Sequence, residues 1–269
     1  MSIWKKTSFT TPLRYVQSSI YEYDIRKANI SILLKYGAIT KETYNEFLMM
    51  DKKERQIKIG LMQREDPKLK QVLETGFEEA RKLLIQSNSI ELDEIISIKK
   101  DALFITRPLQ QTSFSPIEFV LKNRYDIFLK TECPKLEFFF GVDTDEEVIL
   151  DVKGVKDEAL PIHYDTWITF LCNLFGYLLN NDIDSAIKYL SSISKSYINR
   201  SLPIEWYREF NSQSHFRIIP GFVSEFTIDR APDPSYMGAL NIEYNYNLLM
   251  SLNTVISELY LATRKRGGR

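Results

Sequence analysis

Residues 90–108, IELDEIISIKKDALFITRP, set two apolar runs, IISI and LFIT, on either side of the short polar stretch KKD. That layout predicts a tight β-hairpin whose strands lie in a core, with Asp101 at its tip. Just upstream, Leu69, Val72, Leu73, Phe77, Ala80, Leu83 and Leu84 recur at three- and four-residue intervals. Residues 68–86 therefore read as an amphipathic helix, with Gly76 inside it and a sheet to pack on. Farther back, SIYEYDI (19–25) alternates apolar and polar residues as a half-buried strand does, and ANISILLKYG (28–37) reads as a helix stopped by Gly37. TKETYNEFLMM (40–50) is a helix with Thr40 and Thr43 near its start; DKKERQIKIG (51–60) continues it or begins another, and Asp66-Pro67 marks a turn.

Downstream of the hairpin, residues 116–130 and 135–155 carry strand-like runs, notably LEFFFGV and VILDVKGV around the acidic turn DTDEE, which reads as a solvated loop. After Pro161 the texture becomes helical: YDTWITFLCNLFGYLL and DIDSAIKYLSSISKSYI are joined by the turn-like NND. FRIIPGFVSEFTIDRAPDPSYMG reads as irregular, and NYNLLMSLNTVISELYLA as a helix docked on the core. The expected fold class is α+β: an antiparallel sheet with packed helices in residues 1–160, then a mainly helical lobe in 161–269, with the junction near residue 160.

The chain has 269 residues, 44% hydrophobic and 26% charged, enough to bury a core. A formal net charge of -1 excludes a protein that holds nucleic acid by overall charge, so any such surface must be local. No apolar run reaches the length of a membrane-spanning helix, and MSIWKKTSFTTPLRY lacks the apolar core of a signal peptide, so a cytoplasmic location and no membrane partner are expected. Cys133 and Cys172 lie far apart without a CxxC, and His163 and His215 stand alone, so neither zinc nor a disulfide is indicated and both cysteines read as reduced core residues. Phe138, Phe139, Phe140, Trp167 and Phe170 read as core; Tyr125 is singled out by its basic neighbours. The basic tail RKRGGR is a solvated end or a phosphate contact.

Two carboxylates on neighbouring strand ends are the minimum for two-metal phosphoryl transfer, in which one cation activates a hydroxyl and the other steadies the leaving pyrophosphate. Asp24, at the end of one strand, and Asp101, at the hairpin tip, meet that requirement if their strands are adjacent. In a chain with 36 Asp and Glu residues this pair is one of many.

An ordered series of segments resembles family-B DNA polymerases. YEYDIRKANIS is similar to the first palm motif, DxxSLYPS, with Asp24 in the metal-ligand slot and Ser31 in the closing serine slot. IISIKKDALFI resembles the hairpin motif YGDTDSxF, with Asp101 in the catalytic aspartate slot and Phe104 at the family spacing. FVLKNRYDIFL resembles the KKRYAG segment, which would place Lys122, Arg124 and Tyr125 on the primer-template, and ILDVKGV the VKG element, with Lys153 and Gly154. KKERQIKIG is similar to KxxxNSxYG of the fingers, with Lys52 on the triphosphate, Gln56 in the Asn slot and Gly60 following. NNDIDSAIKYLSSISKSYINRSLPIEWY resembles the thumb.

The resemblance implies a palm-like domain over 1–160 with reduced fingers at about 32–65, and a thumb-like domain over 161–269. It also departs from the family. Asn29 occupies the tyrosine slot that excludes a 2′ hydroxyl, with Lys27, Ala28 and Ile30 beside it, and Lys99 replaces the first hairpin aspartate, next to Lys100, a pair that suits a phosphate or a solvated hairpin turn. Arg55 and Lys58 suit phosphate oxygens or a charged helix face.

By this resemblance the chain is expected to be an enzyme, encoded by a virus or mobile element, that performs nucleotidyl transfer on a primer-template from nucleoside triphosphates with Mg²⁺ or Mn²⁺. The nucleotide would meet Lys52, Asn29 and Gly60. The alternative is a catalytically degenerate subunit that binds nucleic acid, or a separate polymerase or exonuclease subunit.

Overall fold

The structure, a computed structural model, describes residues 8–142, 147–154, 164–207, 216–219, 222–226 and 242–267. The chain divides into two compact units, Met1–Pro12 with Ile20–Arg124, and Leu13–Ser19 with Tyr125–Arg269. Two long strands contribute residues to both. The junction expected near residue 160 lies outside the described residues.

The first unit contains β1 (Ser8–Thr10), most of β2 (Tyr15–Ile25), α1 (Ala28–Lys35), α2 (Lys41–Met49), α3 (Lys52–Glu65), α4 (Lys68–Ser87), β3 (Ile95–Lys99), β4 (Ala102–Ile105), β5 (Ser113–Phe114) and the start of β6 (Ile117–Lys130). Its sheet runs β1-β3-β4-β2-β6, with β5 paired to β6 off this path. The β3–β4 hairpin forms as its sequence dictates, with Lys100 and Asp101 between Lys99 and its partner Ala102. Strand β2 starts earlier than its alternation suggests, at Tyr15.

Capping decides the helix starts. Thr40 accepts from the Thr43 N–H at the head of α2. Asp51 and Glu54 form a reciprocal capping box, so the charged stretch after Met50 begins a new helix and does not prolong α2. Helix α4 turns Leu73, Phe77, Ala80 and Leu84 into a core shared with Tyr23, Ile25, Ile98, Leu103 and Ile105. Each leucine, isoleucine or phenylalanine so withdrawn from water stabilises by about 1.5–3 kcal/mol.

Gly76 brings α4 close to α1: a Cβ there would overlap Ile32 Cγ2 and stand 3.1 Å from Tyr36 Cε2. Gly76→Ala is expected to cost about 1–3 kcal/mol in denaturant unfolding, because either Ile32 or the helix must shift. An unchanged midpoint would show that Ile32 swings aside freely.

The second unit holds the start of β2, the end of β6, β7 (Glu137–Val142), β8 (Val148–Lys153), α5 (Tyr164–Leu179), α6 (Ile183–Ile198), β9 (Phe216–Ile219), β10 (Phe222–Phe226) and α7 (Ile242–Gly267). Strand order is β2-β6-β7-β8-β9-β10. Phe138 and Phe140, two apart on β7, both meet Phe175 of α5, at centroid distances of 5.9 and 5.2 Å. Leu190 of α6 and Leu248, Leu252 and Ile256 of α7 complete that core.

Three sequence expectations fail. Residues 216–226, expected to be irregular, include two paired strands: Val148, Ile149 and Leu150 of β8 register with Ile218, Arg217 and Phe216. The stretch after residue 161 is therefore not purely helical. Cys133 is exposed and Cys172 partly buried, both free thiols, so only Cys172 approaches a core position; burial pushes its thiol up to about 12. Arg264 and Lys265, expected in a loose tail, continue α7, and Arg264 stacks over Tyr260 at 4.5 Å.

Candidate active site

The β2–β4 register places Asp24 opposite Ala102, the residue after Asp101. The two carboxylates that the sequence holds 77 positions apart therefore meet at one end of the sheet: Asp24 and Asp101 line a single cleft of about 370 Å³ in the first unit. Strand alternation turns Tyr21, Tyr23 and Ile25 toward the helix-packed core and Glu22 and Asp24 toward the other face.

Four cationic side chains share the cleft: Lys27, Lys52, Arg55 and Lys100. The amides of Asn29 and Gln56 also line it, with Ile25, Ala28, Ile30 and Ile59 as its apolar wall and no aromatic ring among the lining residues. Lys27 caps α1 in the left-handed region at φ 50 without a side-chain cap, and the first turn of that helix carries no acidic residue. The N–H groups there favour an anion. Lys52 and Arg55 project from the first turn of α3, and Arg55 is held by hydrogen bonds from Nη1 to the Met50 carbonyl at 2.8 Å and the Phe47 carbonyl at 3.4 Å.

The carboxyl of Asp24 is pushed up to about 6, chiefly by burial and then by the negative charge of Asp101. Lys122 and the Ile25 N–H, which donates to Oδ1 at 2.8 Å, oppose that shift, while Glu22 adds to it. An oxygen pair that resists carrying two charges is relieved by a divalent cation. Among the described residues no three or more His, Cys, Asp and Glu side chains are grouped so that they could hold a metal ion. Mg²⁺ or Mn²⁺ fits what is present, because such cations keep waters and take one or two carboxylates together with substrate phosphates. Asp24 and Asp101 would hold it.

Other residues singled out in the sequence lie elsewhere. Gly60 is on α3 but does not line the cleft. Ser31 donates to the Arg26 carbonyl at 3.0 Å and closes the turn into α1. Lys99 reaches Thr10 Oγ1 at 3.4 Å, and Lys100, not Lys99, enters the cleft. Lys122 pairs with Glu22 at 3.4 Å, and Asn123 donates to the same carboxylate at 2.7 Å. Arg124 is exposed on β6.

Tyr125 is fully buried in the second unit, its ring 5.4 Å from Phe139 and its hydroxyl donating to Asp151 at 3.3 Å. Its ring offers no surface to a nucleobase, the reason being that β6 alternates and this position faces inward. Lys153 pairs with the buried Asp151 at 2.7 Å. His163, His215 and most of the DTDEE turn lie outside the described residues.

Arg81 was not singled out in the sequence, yet its Nη1 donates to the Lys100 carbonyl at the hairpin tip. A signal was present: it interrupts the apolar stripe, four residues after Phe77 and three before Leu84.

No helix among the described residues is long and apolar enough to cross a membrane. No curated protein matches the chain. A family model described as Bacteriophage PBS1 gene 130 protein matches residues 1–255. That match, over nearly the whole length and without any polymerase signal, overturns the resemblance to family-B DNA polymerases and the palm and thumb labels that came with it. The degenerate motifs share residue types with that family because strand-end carboxylates and basic helix turns recur in unrelated folds. The viral origin agrees with the match, and the chain belongs to the Bacteriophage PBS1 gene 130 protein family.

Proposed function

We propose that the cleft performs metal-dependent nucleotidyl transfer, taking a nucleoside triphosphate and passing its nucleotidyl group to a hydroxyl of a primer-template, in the cytoplasm of the phage's host. The observation that carries this reading is the joint presence of Asp24, Asp101 and four cationic side chains in one cleft. Carboxylates alone would repel a triphosphate, and cations alone would bind it without directing chemistry. The mixture suits a substrate whose phosphates are neutralised from both sides.

Lys52 and Arg55, a helical turn apart on α3, suit the outer phosphates. Lys27 and the open first turn of α1 suit a second phosphate, and Lys100 neutralises charge beside Asp101. Asn29 and Gln56 supply donors and acceptors to sugar or base, and the absence of an aromatic ring leaves a 2′ hydroxyl unopposed, so ribo- and deoxyribonucleotides are both expected to be used. A bound Mg²⁺ or Mn²⁺ would polarise the phosphate and lower the proton affinity of the attacking hydroxyl. In the transfer the hydroxyl oxygen forms a bond to the α-phosphorus, the bond to pyrophosphate breaks, and the hydroxyl proton passes to solvent.

The test is primer extension with Mg²⁺ and Mn²⁺, using both kinds of nucleotide, on the wild type, Asp24→Asn and Asp101→Asn. Cation-dependent extension that disappears in both variants supports the reading. Tight, salt-sensitive binding of nucleic acid with no transfer, unchanged in the variants, supports a second reading, a non-catalytic subunit that binds nucleic acid or a partner polymerase or exonuclease. That second reading draws on the four cations alone, since a cleft with such a lining can hold phosphate without a metal; it leaves the paired carboxylates without a role.

A further inference from the structure

We propose that Arg81 is the positioning residue of the cleft: its buried guanidinium fixes the peptide that joins Lys100 to Asp101, and so presents Asp101 beside Asp24. The inference rests on the reading of the cleft as a cation-assisted transfer site.

Arg81 is 2% exposed, inside the apolar face of α4. Burying a guanidinium is costly unless its donors are used in a specific geometry. Here Nη1 donates to the Lys100 carbonyl oxygen. That carbonyl belongs to the same planar peptide as the Asp101 nitrogen, so fixing the oxygen fixes where the Asp101 backbone starts.

The tip needs an external anchor. Lys100 sits in the left-handed region at φ 49, which an L side chain adopts at a cost. Its ammonium lies over the Phe77 ring at 5.1 Å, one helical turn before Arg81, so α4 grips the tip by backbone and side chain together. Glu78 and Asp101 are the acidic groups whose charges offset the burial of Arg81. Arg81 itself does not line the cleft, and acts through Asp101.

The experiment measures Mn²⁺ affinity by water-proton relaxation, along with kcat and KM for the triphosphate, in the wild type, Arg81→Met, Arg81→Lys, Asp101→Asn and Arg107→Met. Arg107 is a control of like kind at the far end of β4: it binds Glu94 at 2.6 Å and the Asn88 carbonyl at 2.6 Å, away from the cleft. Arg81→Met is expected to weaken Mn²⁺ binding about tenfold and to lower kcat with KM little changed, as loss of a group that orients a metal ligand does. Arg81→Lys, which keeps the charge and a donor, should recover part of that loss, and Arg107→Met should lower stability alone.

A folded Arg81→Met with wild-type Mn²⁺ affinity, beside an Asp101→Asn that has lost it, overturns the inference and leaves the transfer reading standing. Wild-type affinity in Asp101→Asn overturns the transfer reading itself. Should Arg81→Met not fold, Arg81→Gln is measured in its place, with the same loss expected and the same overturning result.

Discussion

Asp24→Asn is expected to slow nucleotidyl transfer by orders of magnitude and, without added metal, to make the protein more stable above pH 6. The two effects share one cause. Burial and the neighbouring Asp101 push the Asp24 carboxyl up to about 6 from its ordinary value of 3.8, so the fold holds its proton more tightly than the unfolded chain does. A raised carboxyl contributes stability that is fully present at low pH and is lost as pH rises through the folded value.

Between about pH 4 and pH 6 the wild type should therefore lose stability relative to Asp24→Asn, and above that window the difference should be constant. Allowing for solvent screening of a partly exposed group, it amounts to roughly 1 kcal/mol. Below pH 4 the two proteins should melt alike. Mg²⁺ should raise the melting temperature of the wild type and not of the variant, because only a site with both carboxylates gains from binding. The loss of transfer is larger, on the order of 10²- to 10⁴-fold, the range that several kcal/mol of lost charge stabilisation produces. A variant that is less stable than the wild type at pH 8, or that transfers at the wild-type rate, would contradict this account of Asp24.

The largest effect on stability is expected from Gly154→Ala. Gly154 follows β8 at φ +97, a conformation that an L side chain rarely adopts, and a Cβ there would collide with the Lys135 carbonyl oxygen. Backbone cannot swing aside as Ile32 can beside Gly76. Strain and clash together should cost about 2–4 kcal/mol, read as a lower denaturant midpoint with unchanged slope. A variant of wild-type stability would mean that the end of β8 rearranges.

Gly154 also shows how a residue can be singled out for the wrong reason. In the sequence it stood out as the glycine of a VKG-like element; in the structure its local geometry accounts for it. Tyr125 teaches the same lesson. Its basic neighbours suggest a surface, but β6 alternates, and what decides exposure is the inward register of that position, which no local pattern reports.

Much of the first unit was legible because its signals are local. KKD between two apolar runs specifies the hairpin, Thr40 and Asp51 specify helix starts, and the stripe from Leu69 to Leu84 specifies α4. Strands β1 and β9 were not legible, for opposite reasons. Three residues, SFT, carry no period, and β1 exists through its pairing of Ser8, Phe9 and Thr10 with β3. FRII has strand character but is followed by Pro220 and Gly221, and its partner β8 lies over sixty positions away.

In the cleft, Asp24, Asp101, Lys52, Asn29, Arg55 and Gln56 were legible as residue types at turn and strand ends. The joining of Lys27 and Lys100 to them depends on two left-handed residues whose side chains give no such hint. Arg81 is marked in the sequence as a break in the apolar stripe of α4, but its link to Asp101 required the tertiary fact that α4 runs beneath the hairpin tip.

The most direct measurement is anomalous diffraction from crystals grown with Mn²⁺ and a non-hydrolysable nucleoside triphosphate. Manganese bonded to oxygens of both Asp24 and Asp101 at about 2.1 Å, with the phosphates against Lys52 and Arg55, is the predicted result. Triphosphate bound in the cleft with no metal on either carboxylate, or metal bound elsewhere on the chain, would contradict it.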